Sequence, residues 1–277
     1  MTFEQFAAAH GLIIHHLEIG RWVRVRTEDK PHHKNGSYKF LGDVGWCQNF
    51  ATMPDVATWF ADSDTPVKID RAAIDLRIQA ADMKMQENRS KAASKAVKIM
   101  RESKLDQHAY LDSKGFPEAR GLVYMSGENN LLVIPMRVGR EVVGAQLIDR
   151  EGTKKFIFGQ RCSGAEYLIQ GKGVEIWCEG YATGLSIAES MKAINAQCAI
   201  HVCFSAGNMS AMAKAAGKGV IVADNDASLI GERSARETGL PFFIPPEVGQ
   251  DFNDLHTSSG TFLASQMLRK FLQSLKK

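Results

Sequence analysis

The sequence has no Cys-x-x-Cys pair. Its five cysteines, Cys47, Cys162, Cys178, Cys198 and Cys203, are odd in number. A zinc ribbon of paired cysteines is excluded, and reduced thiols in a cytoplasm are expected. No apolar run approaches the ~20 residues of a membrane-spanning helix, so no membrane partner is expected. The opening MTFEQFAAAHG has neither a basic segment nor an apolar stretch, so no signal peptide is expected. A phosphate-binding Gly-x-x-x-x-Gly-Lys-Ser/Thr loop is missing too: the nearest string, GKGVEIW, does not fit it. That excludes an ATPase or helicase motor within this sequence. Internal repeats and low-complexity segments are likewise absent.

What is present suits a globular protein of 277 residues, long enough for two domains. Net charge is +3, too little by itself to establish a nucleic-acid partner. Its distribution says more. From Val67 to Lys104 there are ten Lys/Arg against five Asp/Glu, and from Gly173 to the end nine against ten.

Four segments follow. In residues 1–65, FEQFAAAHGLI opens as a short amphipathic helix, WVRVRT alternates like a half-buried strand, and NGSYKFLGDVGWCQNF carries turn signals between aromatic runs, predicting a small β-rich domain closed by Pro66. Residues 66–105 are a helical connector: 69–105 contain no Gly or Pro. Ile74, Ile78, Ala81 and Met85 recur there at helical spacing and predict a packed face. Residues 106–172 read as a small lobe of antiparallel strands, through LLVIPM, VVGAQLI and KKFIF. Residues 173–277 alternate strand and helix: VEIWC, TGLSIAESMKAI, AIHVCF, SAMAKAAG, VIVA, ERSARETG, PFFI and a closing helix TFLASQMLRKFLQSL. That alternation predicts a parallel sheet, α/β within an α+β whole.

In a parallel sheet, functional groups gather where strands end and helices begin. Glu179 follows VEIWC, Asp224 and Asp226 follow VIVA, and Asp251 and Asp254 follow PFFIPP. A lone Asp-x-Asp also reads as a solvated turn or an N-cap. Five carboxylates converging on one edge repel one another unless a cation neutralises them. All-oxygen ligands point to a hard ion, Mg²⁺ or Mn²⁺.

The strings WCEGYATG (177–184), SAGNM (205–209), VADND (222–226) and QDFNDLH (250–256), in this order, resemble the TOPRIM domain, and among its bearers the primases of conjugative plasmids and phages. HAYLDSKG (108–115) and residues 131–160 are similar to the smaller lobe that precedes TOPRIM in those enzymes. The resemblance implies a DNA primase that joins ribonucleoside triphosphates on a single-stranded DNA template. It implies Glu179, Asp224 and Asp226 as catalytic groups, the same three with Asp251 and Asp254 around the metal, and Glu179 as either ligand or base.

For the triphosphate the candidates are Lys155, at the family's Lys-aromatic position, with Lys154, Arg137 and Arg161. Arg140 and Lys154 read equally as residues of a solvated sheet face. Gly180 is expected to allow a tight turn near ligand, and Asn208 is either an N-cap or a nucleotide contact. Trp22, Arg24, Arg26, Lys34, Tyr38 and Lys39, with Trp46, mix cations and aromatics as single-strand binding requires, although in so small a domain most of the aromatics read more readily as core. His15, His16, His32, His33 and Cys47 could imitate a zinc site, but adjacent histidines on a strand face opposite ways, and no zinc is expected. Unwinding would need a separate replicative helicase. The rival readings are a TOPRIM nuclease and a non-catalytic single-stranded-DNA-binding replication accessory.

Overall fold

The computed structural model describes residues 1–53, 55–61, 71–169, 171–227 and 229–275. Pro66, expected to close the first segment, and the side chain of Ile74 lie outside the described part. The chain divides into two compact units, Met1–Gln86 and Glu87–Lys277.

The first unit starts with α1 (Phe3–Ala9), whose first turn is closed by a reciprocal capping box between Thr2 and Gln5. Five strands follow: β1 (Leu12–Ile13), β2 (Trp22–Thr27), β3 (Gly36–Phe40), β4 (Val44–Asn49) and β5 (Ala57–Phe60). They pair antiparallel in chain order. Period-two alternation sorts their side chains. Tyr38 and Cys47 point to α1 and form a core with Phe3, Ala7 and Leu12. Phe3 stacks on Phe40 at 4.9 Å between centroids. Gly45 is required there, because a Cβ would sit 2.3 Å from the Phe3 ring.

Helix α2 (Arg71–Glu102) is rich in Ala, Lys, Met and Gln, as its propensity demands. The face expected to pack runs on into the one that is buried: Ile78 and Ala81 are half-buried, and Ala92, Ala96 and Ile99 continue the same stripe at helical spacing. Met85 is exposed, whereas Ala92, Ala96 and Ile99 are buried against Val133, Ala145 and Ile157.

The second unit continues with β6 (Lys104–Asp106), α3 (Ala109–Ser113), β7 (Gly121–Ser126), β8 (Asn129–Val138), β9 (Glu141–Ile148) and β10 (Lys154–Phe156). The strands form an antiparallel sheet in the order β10-β9-β8-β7-β6. Beyond the end of β10 the Gln160 carboxamide takes over the edge, its Oε1 accepting the N–H groups of Ala145 (3.0 Å) and Ile157 (3.1 Å).

A second sheet follows: β11 (Tyr167–Ile169), β12 (Val174–Cys178), α4 (Tyr181–Ala193), β13 (Cys198–Val202), α5 (Ala206–Ala216), β14 (Val220–Val222), α6 (Ile230–Arg236), β15 (Phe242–Phe243) and α7 (Phe252–Ser274). Strand order is β11-β13-β12-β14-β15, parallel except for the edge strand β11. The expected α/β sheet is therefore present, and β11 is a strand the sequence reading missed. Two apolar clusters cover its faces. One, around Ile187, Met191, Leu255 and Leu268, runs without a break into Leu132, Ile134 and Ile148 of the antiparallel sheet. The other holds Trp177, Met209, Ala213, Ile221 and Ala235. Among the described residues no helix is long and apolar enough to cross a membrane.

Candidate active site and the open face of the first unit

From β12 the chain passes through α4 to β13 on one side. From β13 it returns through α5 to β14 on the other side of β12. The order reverses between β12 and β14, which makes a crevice at their carboxyl ends. Glu179 follows β12 and Asp224 follows β14 by two residues, and these strands are direct neighbours, Cys178 opposite Val222.

Asn225 brings in the third element. Its N–H donates to the Gln250 carbonyl (2.9 Å) and its Nδ2 to the Pro245 carbonyl (2.9 Å). The segment before Asp251 is thereby tied to the Asp-Asn-Asp turn. Gly231 lets α6 close on the same turn, since a Cβ would lie 2.5 Å from the Asp224 carbonyl oxygen.

The charges behave as a half-buried anionic cluster. Asp224 is raised to about 7, chiefly by burial and then by the charges of Glu179 and Asp251, with Asp226 adding a little and Lys154 opposing. Its Oδ1 is buried and has no hydrogen-bond partner. Burial also raises Glu179, while Lys154 and the Ala206 N–H at the first turn of α5 pull it down. Among the described residues no three His, Cys, Asp or Glu side chains stand close enough to form a ready-made metal cage. The donor set still fits a hard cation: an unpartnered carboxylate oxygen of Asp224 is buried where Glu179, Asp251 and Asp226 add negative charge.

Several expectations need correction. Asp251 and Asp254 do not end a strand. They form the capping box that starts α7, Asp251 Oδ1 accepting from the Asp254 N–H (2.8 Å) and Asp254 Oδ2 from the Asp251 N–H (3.1 Å). The helix therefore begins nine residues before the expected Thr261 and bends at Gly260, where φ is 79°. Asp251 still faces Asp224, whereas Asp254 is turned back on the helix.

Among the cations, Lys154 rather than Lys155 lies beside Glu179 and Asp224. Strand alternation puts Lys155 on the opposite face, where it acts on Asp149. Arg137 Nη1 donates to the Arg140 carbonyl (2.9 Å), and its backbone pairs with Glu166, joining β8 to β11. Arg161 bonds to the Ser163 carbonyl.

Asn208 is neither an N-cap nor free for a nucleotide. Ser205 caps α5, and the Asn208 amide accepts from the Gly164 N–H and donates to the Ala165 and Cys203 carbonyls, all at 2.8 Å. Gly180 adopts φ −98°, which any residue can adopt, so no left-handed turn explains it. The sequence reading also missed Tyr110, whose buried hydroxyl has no partner and whose pKa is pushed up to about 12 by burial and Asp251.

On the first unit, Trp22, Arg24 and Arg26 lie exposed along one face of β2. Across the ladder Trp22 opposes Lys39, and Lys39 opposes Trp46. The Lys39 ammonium lies 5.9 Å from the Trp46 ring centroid, and the Arg24 guanidinium lies 4.3 Å from that of Phe50. Lys34 is exposed just before β3. Tyr38 drops out of this group. It is fully buried on the opposite face, and its hydroxyl accepts from the Glu18 N–H and donates to the His16 carbonyl. Phe50 and Phe60, both exposed, were not singled out from the sequence.

Residues 175–261, which contain β14, the start of α7 and all but the first residue of β12, match the family model described as Toprim domain. The carboxylate-bearing segment is Toprim-like. No curated protein matches the chain. Two solved structures are similar at low identity. One contains the lagging-strand DNA polymerase of bacteriophage T7 interacting with primase domains bound to an RNA/DNA hybrid and dTTP. It is 12% identical, with 61% of this chain and 91% of that chain covered and a TM-score of 0.44. The other is the primase fragment of the bacteriophage T7 primase-helicase protein, 13% identical, with 57% and 71% covered and a TM-score of 0.41.

Proposed function

We propose that this chain is a DNA primase that synthesises short RNA primers on single-stranded DNA by metal-assisted nucleotidyl transfer. The observation that carries the reading is Asp224, half-buried with an unpartnered oxygen and under the negative charge of Glu179, Asp251 and Asp226. Asp224, Asp226 and Asp251 would hold Mg²⁺ or Mn²⁺, with Glu179 as a further ligand or as the base. The ions, when bound, supply charge neutralisation and a more acidic attacking hydroxyl. Lys154 offsets the negative charge of the triphosphate. Glu179, its carboxyl already raised, is suited to accept a proton at a carboxylate oxygen. The aromatic and cationic face of the first unit takes the single-stranded template without reading its sequence. Ribonucleoside triphosphates are the substrates, and a separate replicative helicase opens the duplex.

The test is incubation of the full chain with labelled ribonucleoside triphosphates, Mg²⁺ or Mn²⁺ and single-stranded templates. Short oligomers are expected that require template and vanish with EDTA. Degradation of labelled single strands without synthesis would establish the nuclease instead. Binding of the strands with neither activity would make the chain a replication accessory.

A further inference from the structure

Beside the carboxylates lies an aromatic pair that the reading above leaves unused. Phe156 stands two residues after Lys154 on β10, so both project from the same face. Phe156 is 44% exposed although it is a large apolar ring beside a charged crevice. Its ring meets that of Phe204 nearly edge-on, with centroids 6.4 Å apart and planes at 83°.

Phe204 is itself unusual. It follows β13 with φ +67°, in the left-handed region that bulky side chains rarely occupy. The position is fixed on both sides. The Phe204 N–H donates to the Glu179 carbonyl (2.9 Å), and the next residue, Ser205, caps α5. Glycine or asparagine would adopt this backbone with less strain. A phenylalanine there holds its ring against Phe156 and the main apolar cluster, at a conformational cost.

The geometry points to a nucleobase seat in which Phe156, backed by Phe204, stacks the base of a nucleoside triphosphate whose phosphates meet Lys154. Lys154 supplies the charge that a triphosphate requires, and the exposed ring beside it supplies a surface that any base can stack on. This inference rests on the proposed nucleotidyl-transfer site and adds where the base of the substrate lies. It makes the site tolerant of base identity, because a π-face contact contains no hydrogen-bond code.

The test is direct titration of the full chain, in Mg²⁺, with ATP, with CTP and with inorganic tripolyphosphate, followed by calorimetry. The wild type should bind both nucleotides about tenfold more tightly than tripolyphosphate. Phe156→Ala should abolish that difference and leave tripolyphosphate affinity unchanged, and Phe156→Trp should restore it. Phe204→Gly keeps the left-handed backbone and removes only the ring. It should narrow the difference while its melting curve stays cooperative. Equal binding of nucleotide and tripolyphosphate by the wild type, or a difference that survives Phe156→Ala, overturns the base seat and leaves the transfer site standing. Binding of none of the three ligands by the wild type overturns both.

Discussion

The two charged regions handle charge in opposite ways. On the first unit, Arg24 and Arg26 are exposed and Lys39 is half-buried, and Arg24 and Lys39 lie against aromatic rings. Each charge there is hydrated and screened, so each contributes little alone and the set works by summation. At the crevice between β12 and β14 half-buried carboxylates outnumber the one cation beside them, Lys154, and one carboxylate oxygen lacks any partner. A buried, unpaired acceptor costs about 1–3 kcal/mol. The first arrangement suits a partner that is long, mobile and polyanionic. The second suits a small ligand of high positive charge.

The sharpest test of this contrast removes the central carboxylate. Asp224→Ala and Asp226→Ala should each lower primer synthesis by about two orders of magnitude or more, because charge stabilisation of the transition state is the largest catalytic contribution. Asp224→Asn should do the same to synthesis yet raise the melting temperature of the metal-free protein by a few degrees, since it removes an uncompensated charge. Loss of activity with a lower melting temperature would mean that Asp224 is structural.

Next in size is the pair of lysines. Lys154→Ala should raise the KM for nucleotide about tenfold, as removal of one charge on phosphate. Lys155→Ala should leave it within about twofold. The reverse result would put the phosphates on the other face of β10.

A smaller effect is expected from the open face of the first unit. Replacing Arg24 and Arg26 together should weaken single-stranded DNA binding and flatten the plot of log affinity against log salt by about 1.4, roughly 0.7 for each lost phosphate contact. KM for nucleotide should not change. An unaltered salt slope would remove this face from the template path.

The smallest effect lies away from both regions. His201 lies between Glu166 and Glu175 (2.6 Å to the latter), under the Trp177 ring at 4.0 Å between centroids, with Lys218 on Glu175. Burial lowers its pKa, but the two carboxylates outweigh that and the net direction is upward. A raised folded value means that protonated His201 stabilises the fold most below the ordinary histidine pKa of ~6.5, and that this stabilisation fades as pH rises through the raised value. His201→Gln should therefore cost about 1 kcal/mol at pH 6 and less at pH 9, read from urea unfolding at both pH values. A cost that grows with pH would reverse the assignment.

Much of this layout was legible in the chain because it depends on local pattern. WVRVRT declares a strand with two arginines on one face, and strand-helix alternation after Gly173 declares the parallel sheet. Glu179 and Asp224 could be placed at strand ends because apolar runs stop just before them. What was not legible depends on partners distant in sequence. Tyr38 reads either as core or as a stacking surface, because nothing local shows that α1 covers that side of β3. Lys155 was preferred to Lys154 because a one-residue difference reverses the face, and only pairing with β9 fixes which lysine meets the carboxylates. Asp251-x-x-Asp254 carried a local signal, a reciprocal cap, that was overshadowed by the interest of its charges. Asn225 and Asn208 act through carbonyls that no motif marks.

Asp251 closes the first turn of α7 with one oxygen and also contributes negative charge to Asp224. Sequence drift at this position is therefore constrained twice, and by different amounts for different residues. Asparagine or serine preserves the cap and removes the charge, whereas alanine removes both and costs about 1 kcal/mol in folding as well. In a saturation library, selection for abundance alone should retain Asp, Asn and Ser at 251, and selection for turnover should retain Asp only. The gap between those two survivor lists would separate what this residue does for the helix from what it does for the chemistry.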